Sequence, residues 1–265
     1  YTVFIQANQK IWQEFMVARM LIFVSLNLFL SSICSANNCI GSITAEWKFI
    51  VALYHEYKDY IKYNATSYFL KKTDKILYSN HCAGSIINQW QVITAAHCIT
   101  PNITDMRIVF GTSIITKKYY SNAMNEHQFY RKPVKAKKFP GFSRGYYGDK
   151  VYRNFGDIAI ITVDEPFSFD DKLVNPISLE TFDQTPSIND TCKIAGWGNI
   201  INMVKILWYP LVLQSAEVKI VPITDCKRQY EEEMKETLAY IDSTNLILCA
   251  IGDNGKDSGH VSLPK

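Results

Sequence analysis

Two side chains in this sequence have the types and settings that general-base chemistry requires. His97 stands in Thr94-Ala95-Ala96-His97-Cys98, at the end of an apolar run. Asp157 stands in Asn154-Phe155-Gly156-Asp157-Ile158-Ala159-Ile160, immediately before another. An imidazole titrates near neutrality and can take a proton from a hydroxyl. A carboxylate at the mouth of an apolar strand is partly withdrawn from water, and a buried charge requires a partner. An imidazole N–H is one candidate. A lone histidine beside a cysteine is more often a satisfied core residue, so the functional reading rests on its neighbours. Cys82 and Cys98 lie 16 residues apart across an expected hairpin. A disulfide there would pin the histidine loop against its own strand, and a base needs such support because small displacements cost rate heavily. Further on, Cys192-Lys193-Ile194-Ala195-Gly196-Trp197-Gly198 puts a tryptophan between glycines after a short strand.

The elements that must position these residues read as strands. From about Asn37 the chain is a series of short β-rich runs separated by polar turns. Phe49–Tyr54 is one run, and Ala83–Ile87 and Gln91–Thr94 flank Asn88-Gln89-Trp90 as a hairpin. Arg107–Gly111 and Ile158–Val163 repeat the pattern. Such spacing predicts an all-β barrel or sandwich and argues against a parallel α/β sheet. Two halves, roughly 39–150 and 155–265, are each long enough for a barrel, with a site between them. Thr224-Asp225 predicts the cap of a helix through Arg228, Tyr230, Met234 and Leu238. Phe139–Asn154, rich in Gly, Tyr and charge, reads as a long surface loop. No internal repeat or low-complexity tract is present.

A chain of 265 residues with 48% hydrophobic residues can bury a substantial core, and its net charge of +3 is mild. No basic stripe interleaved with aromatics stands out, so nucleic acid is not expected as a partner. Lys135, Lys137 and Lys138, like Glu231, Glu232 and Glu233, read as solvated faces. Near the N-terminus Arg19 precedes the apolar run Leu21–Leu30, and Cys34-Ser35-Ala36 follows with small residues. That order predicts a secretory signal peptide over 16–36, with 1–15 an upstream segment and 37–265 the folded domain. The competing reading is a membrane anchor, but a span needs about 20 predominantly apolar residues. Here Ser25, Asn27, Ser31 and Ser32 interrupt the run, so no stable anchor is expected.

Of seven cysteines, Cys34 leaves with the signal peptide and Cys39, Cys82, Cys98, Cys192, Cys226 and Cys249 remain. An even count in a secreted chain favours disulfides, and with no C-x-x-C pair neither a zinc site nor any other metal or cofactor is expected. Sequons at Asn64, Asn102 and Asn189 suit an extracellular glycoprotein.

Together the ordered motifs are highly specific. Cys-Ala-Gly-Ser-Ile-Ile (82–87), Thr-Ala-Ala-His-Cys (94–98), Asp-Ile-Ala-Ile (157–160), Pro-Ile-Ser-Leu (176–179) and Gly-Trp-Gly (196–198) resemble the chymotrypsin/trypsin family of serine proteases. Leu213-Gln214, Asp225-Cys226 and Leu248-Cys249-Ala250 continue the likeness, which covers roughly residues 39–258. The resemblance implies two packed antiparallel six-stranded-type barrels with a cleft between them, the second barrel incomplete here. It implies that His97 is the general base and that Asp157 orients it. It also implies disulfides Cys82–Cys98 and Cys226–Cys249, protein or peptide substrates, and a monomeric enzyme.

The likeness fails at the nucleophile. The family's Gly-Asp-Ser-Gly-Gly-Pro occurs nowhere in the sequence. In one alignment Asp257-Ser258-Gly259 is a degraded form and Ser258 the nucleophile. Lys256 would then stand where the oxyanion hole uses a glycine N–H, and Gly259–Lys265 is too short for the strands that wall a substrate pocket. In the other, preferred alignment Asp257 falls where trypsin-like members hold the pocket-bottom carboxylate, with a Lys/Arg preference, and the nucleophile loop is missing. Cys192 then loses its family partner and stays unpaired or finds Cys39. Asn38-Cys39-Ile40-Gly41-Ser42 also departs from the activation site, because no Lys or Arg lies between Ala36 and Ile40 and Cys39 replaces the inserting isoleucine. The expectation is a secreted serine-type endopeptidase by family, made as a zymogen and inactive as this chain stands. The alternative is a secreted non-catalytic homologue that acts by protein binding.

Overall fold

A computed structural model describes residues 47–62, 70–115, 118–120, 129–147, 150–169, 173–179, 186–198, 200–201, 207–208, 210–225 and 249–252. The expected signal peptide, the activation segment with Cys39, and the run Leu21–Leu30 lie outside these residues. No helix among the described residues is long and apolar enough to cross a membrane.

The chain is built from strands, as its β-branched and aromatic runs dictate. The first ten are β1 (Ile50–Lys62), β2 (Leu70–Asn88), β3 (Gln91–Thr94), β4 (Met106–Val109), β5 (Lys118–Tyr120), β6 (Tyr130–Arg131), β7 (Pro133–Lys138), β8 (Ser143–Tyr147), β9 (Lys150–Phe155) and β10 (Ala159–Val163). The rest are β11 (Thr191–Gly196), β12 (Ile200–Ile201), β13 (Leu207–Trp208), β14 (Gln214–Val221) and β15 (Cys249–Gly252). An antiparallel eight-stranded sheet runs β6-β4-β1-β2-β3-β10-β7, with β5 paired to β2. Its two outermost strands, β6 and β7, are separated in sequence by Lys132 alone. A covalent link that short between opposite edges requires the sheet to curl back on itself, so it is a nearly closed barrel. A second, smaller antiparallel sheet has the order β11-β14-β15. The architecture is all-β, a barrel plus a smaller sheet.

Alternation fixes which faces are buried. Ala159, Ile161 and Val163 on β10 face the core, and they meet Val51, Leu53, Ile86 and Val92 there. On β14 Ala216, Val218 and Ile220 are buried while Glu217 and Lys219 are exposed, the pattern of a sheet with one wet face. Burial of each large aliphatic chain contributes about 1.5–3 kcal/mol.

Two sequence expectations are corrected. The boundary between halves does not fall near residue 150, because β10 sits inside the first sheet between β3 and β7. The segment Phe139–Asn154 is not simply a surface loop: β8 and β9 pair as a hairpin from Ser143↔Phe155 to Tyr147↔Lys150. Its strands are held by backbone hydrogen bonds, which polar sequence supplies as well as apolar sequence. The expected helix begins as a turn at residues 223–225, with the Asp225 N–H donating to the Pro222 carbonyl at 2.9 Å. Its continuation lies outside the described residues.

Candidate active site

Strand pairing brings the two candidate residues to one place. Thr94, the last residue of β3, pairs with Ala159, the first of β10. His97 follows Thr94 and Asp157 precedes Ala159, so an antiparallel ladder delivers both to the same end. After an extended Ala95 (φ −75°, ψ 146°) the chain makes one 3-10 turn, Ala96–Cys98. The Cys98 N–H donates to the Ala95 carbonyl at 3.1 Å and that of Ile99 to Ala96 at 3.3 Å. Ala95 and Ala96 are fully buried, so their small side chains let the turn press onto the core. The imidazole between buried Ala96 and Cys98 remains partly exposed.

Asp157 engages His97 twice. Its Oδ2 lies 2.6 Å from Nδ1 of the imidazole, and its Oδ1 accepts the His97 backbone N–H at 2.8 Å. The two side chains are 15% and 17% exposed, so the pair is largely shielded from water. A carboxylate only accepts, so Nδ1 carries the proton and Nε2 is the basic nitrogen. Cys82 and Cys98 form a disulfide with Cα atoms 6.0 Å apart, and Cys98 Sγ lies 3.6 Å from Nε2. Both sulfurs and the imidazole lie within 4.8 Å of one another. Because the sulfurs are bonded to each other, that cluster offers no thiolate to a metal.

Other expected residues fall as follows. Cys249, on β15, is disulfide-bonded, while Cys226 lies outside the described residues. Asn64, Asp257 and Ser258 also lie outside them. Asn102 and Asn189 are exposed, and Asn189 adopts φ +77° in a turn. Trp197 is buried where the two sheets meet, and its indole N–H donates to the Ser113 carbonyl at 3.0 Å. Cys192 lies on β11, partly buried. Sequence reading missed the His97 backbone N–H, because every residue but proline carries one and side-chain type does not mark it. It also missed Phe139 and Gly156, which flank Asp157 in space; the glycine before the aspartate was the available signal.

Known proteins resemble this chain in sequence and in fold. The family model described as Trypsin matches residues 61–259. An alpha-fibrinogenase-like protein of Daboia siamensis is 30% identical over 166 residues, 62% of this chain and 56% of that protein. The snake venom serine protease salmonase of Gloydius brevicauda is 32% identical over 168 residues, 63% of this chain and 54% of its own. Kallikrein 1-related peptidase b1 of Mus musculus is 30% identical over 103 residues, 38% of this chain and 34% of that one. The chain spans about half the length of the venom relatives it matches. The solved structure of neuropsin, a serine protease expressed in the limbic system of mouse brain, shares the fold with a TM-score of 0.50 and 19% identity, covering 82% of this chain and 78% of that one. With the family model matching most of its length, the chain belongs to the trypsin family.

Proposed function

We propose that this chain carries the base and the orienting acid of a serine-type endopeptidase. One observation carries the reading: Asp157 holds both the ring and the backbone of His97, which fixes tautomer and direction together. In the proposed reaction Nε2 of His97 takes the proton of a serine hydroxyl as its oxygen attacks a peptide carbonyl. The proton then passes to the departing amine, and water repeats the cycle to release the acyl group. Asp157 stabilises the imidazolium formed at each transfer. The nucleophile is the part these residues do not furnish in family form, since no Gly-Asp-Ser-Gly-Gly-Pro occurs in the sequence. The 265-residue polypeptide alone is therefore proposed to be inactive, with Ser258 a poor substitute and Asp257 the pocket carboxylate that favours Lys or Arg. Assay of the natural protein on Arg-, Tyr- and Leu-containing peptides tests that preference; equal rates on all three would contradict it.

Secretion is part of the proposal. It is supported by the disulfides, by exposed sequons at Asn102 and Asn189, and by relatives named as snake venom proteases. A second reading, a secreted non-catalytic homologue that binds proteins, is favoured by the altered segment Asn38-Cys39-Ile40-Gly41-Ser42. Treatment of the natural secreted protein with a serine-directed fluorophosphonate separates the two. The endopeptidase reading expects a covalent adduct that the His97→Ala variant fails to form. A folded natural protein that takes no label would establish the binding reading instead.

A further inference from the structure

We propose that Phe139 is a positioning residue, whose ring, wedged between the backbones of Gly141 and Gly156, sets where Asp157 stands. The inference rests on the endopeptidase reading only for its catalytic consequence; the geometry stands apart from it.

The chain leaves β7 at Lys138 and turns at once through Phe139-Pro140-Gly141-Phe142, with the Phe142 N–H donating to the Phe139 carbonyl at 2.9 Å. The β8–β9 hairpin follows, and the chain returns at Gly156 beside the turn it left. There the Phe139 N–H donates to the Ile158 carbonyl at 2.9 Å, which closes the neck of the excursion. Next along the ladder Lys138 pairs with Ala159. Phe139 is thus tied to the residue that follows Asp157.

Its ring bears on the residue that precedes Asp157. Gly156 is buried and holds φ +58°, a conformation that L side chains rarely adopt. A Cβ built there would stand 2.5 Å from Phe139 Cδ1 and 3.1 Å from Cε1. A Cβ on Gly141 would stand 2.9 Å from Cε1. Carbon atoms in contact prefer about 3.5–4.0 Å, so the ring occupies the space two side chains would need. The turn around it is itself held: the Phe142 ring packs against the core, and Lys138 Nζ lies 5.3 Å from its centroid.

Asp157 therefore sits at the centre of a three-residue turn, with the Ile158 N–H donating to the Gly156 carbonyl at 2.7 Å. One flank is bonded to the Phe139 backbone and the other lies against the Phe139 ring. Neither flank can slide without disturbing Phe139. Because both carboxylate oxygens of Asp157 are committed to His97, a shift of about 1 Å breaks two hydrogen bonds, and misplacement on that scale costs about 100-fold in rate.

The test is proton NMR of the ¹⁵N-labelled 265-residue chain, reading the low-field resonance of the His97 Nδ1–H, assigned by its loss in Asp157→Ala. Urea titration of each variant checks folding. Gly156→Ala is expected to shift or erase the resonance in a folded chain. Phe139→Ala is expected to move it as well, because the ring no longer bears on Gly156, and Phe139→Tyr is expected to keep it. A folded Gly156→Ala with an unmoved resonance overturns the proposal. So does a folded Phe139→Ala with an unmoved resonance, since left-handed strain alone then explains the effect of Gly156→Ala. Should Gly156→Ala not fold, Phe139→Leu decides: a moved resonance supports the wedge and an unmoved one overturns it. A folded wild-type chain with no such resonance overturns the His97–Asp157 pair itself, a failure distinct from that of the wedge.

Discussion

Both carboxylate oxygens of Asp157 meet a single residue, and that economy fixes the direction of the His97 imidazole, as the proposed base requires. The other histidine with a distinctive setting works through burial. His55, on β1, keeps its Nδ1 buried without a hydrogen-bond partner among the described residues, and its ring meets His81 edge to face with centroids 4.6 Å apart. Burial lowers its pKa from the ordinary 6.5. The native state therefore holds the imidazole neutral, while the unfolded chain binds a proton more readily. His55 therefore opposes stability as pH falls below about 6.5, and the loss is complete once pH passes its lowered native value. His55→Phe, which retains an aromatic edge for His81, is expected to flatten the fall in urea midpoint between pH 7.5 and pH 5. An unchanged slope would assign the acid sensitivity to other groups.

At the scale of elements, the β2–β3 hairpin and the disulfide beneath it carry His97. The turn was legible because Asn88 marks it: its Oδ1 accepts the Trp90 N–H at 2.8 Å, the local bond that makes asparagine a turn former. Replacing Cys82 and Cys98 together by alanine releases a loop with a sequence separation of 16, and the chain is expected to lose about 3 kcal/mol. Urea denaturation under non-reducing conditions checks this, and a loss under about 1 kcal/mol would mean that packing alone holds the turn. The β8–β9 hairpin was not legible. Its ladder rests on backbone groups, and Gly145 and the charges around it show no apolar alternation to announce a strand. The tight turn at Asp157 was half legible: the aspartate before an apolar strand could be read, while the ring occupying the space beside Gly156 is a non-local fact.

Across the whole molecule, the barrel and the smaller sheet meet along the segment around Ser113. Ile114 bridges to Val212, the Leu213 N–H donates to the Ser113 carbonyl at 2.7 Å, and Trp197 donates to the same oxygen. The motifs announced the family because they fall in order along the chain. The division into halves was misplaced because β10 pairs with β3 and β7, a choice set by distant partners and not by local pattern. Trp197→Phe keeps most of the buried ring and removes one donor from the junction. It is expected to cost about 1–3 kcal/mol in urea unfolding, with a change in near-UV circular dichroism. No measurable cost would show that the indole N–H does not help join the sheets.

The most direct measurement is steady-state peptide hydrolysis by the natural protein and its Asp157→Asn variant. Asparagine keeps the shape but favours the wrong imidazole tautomer, so kcat is expected to fall by about 10⁴ with KM little changed. A variant that cleaves at nearly the wild-type rate, or a folded natural protein that cleaves nothing, would contradict the assignment of His97 and Asp157 as a working catalytic pair.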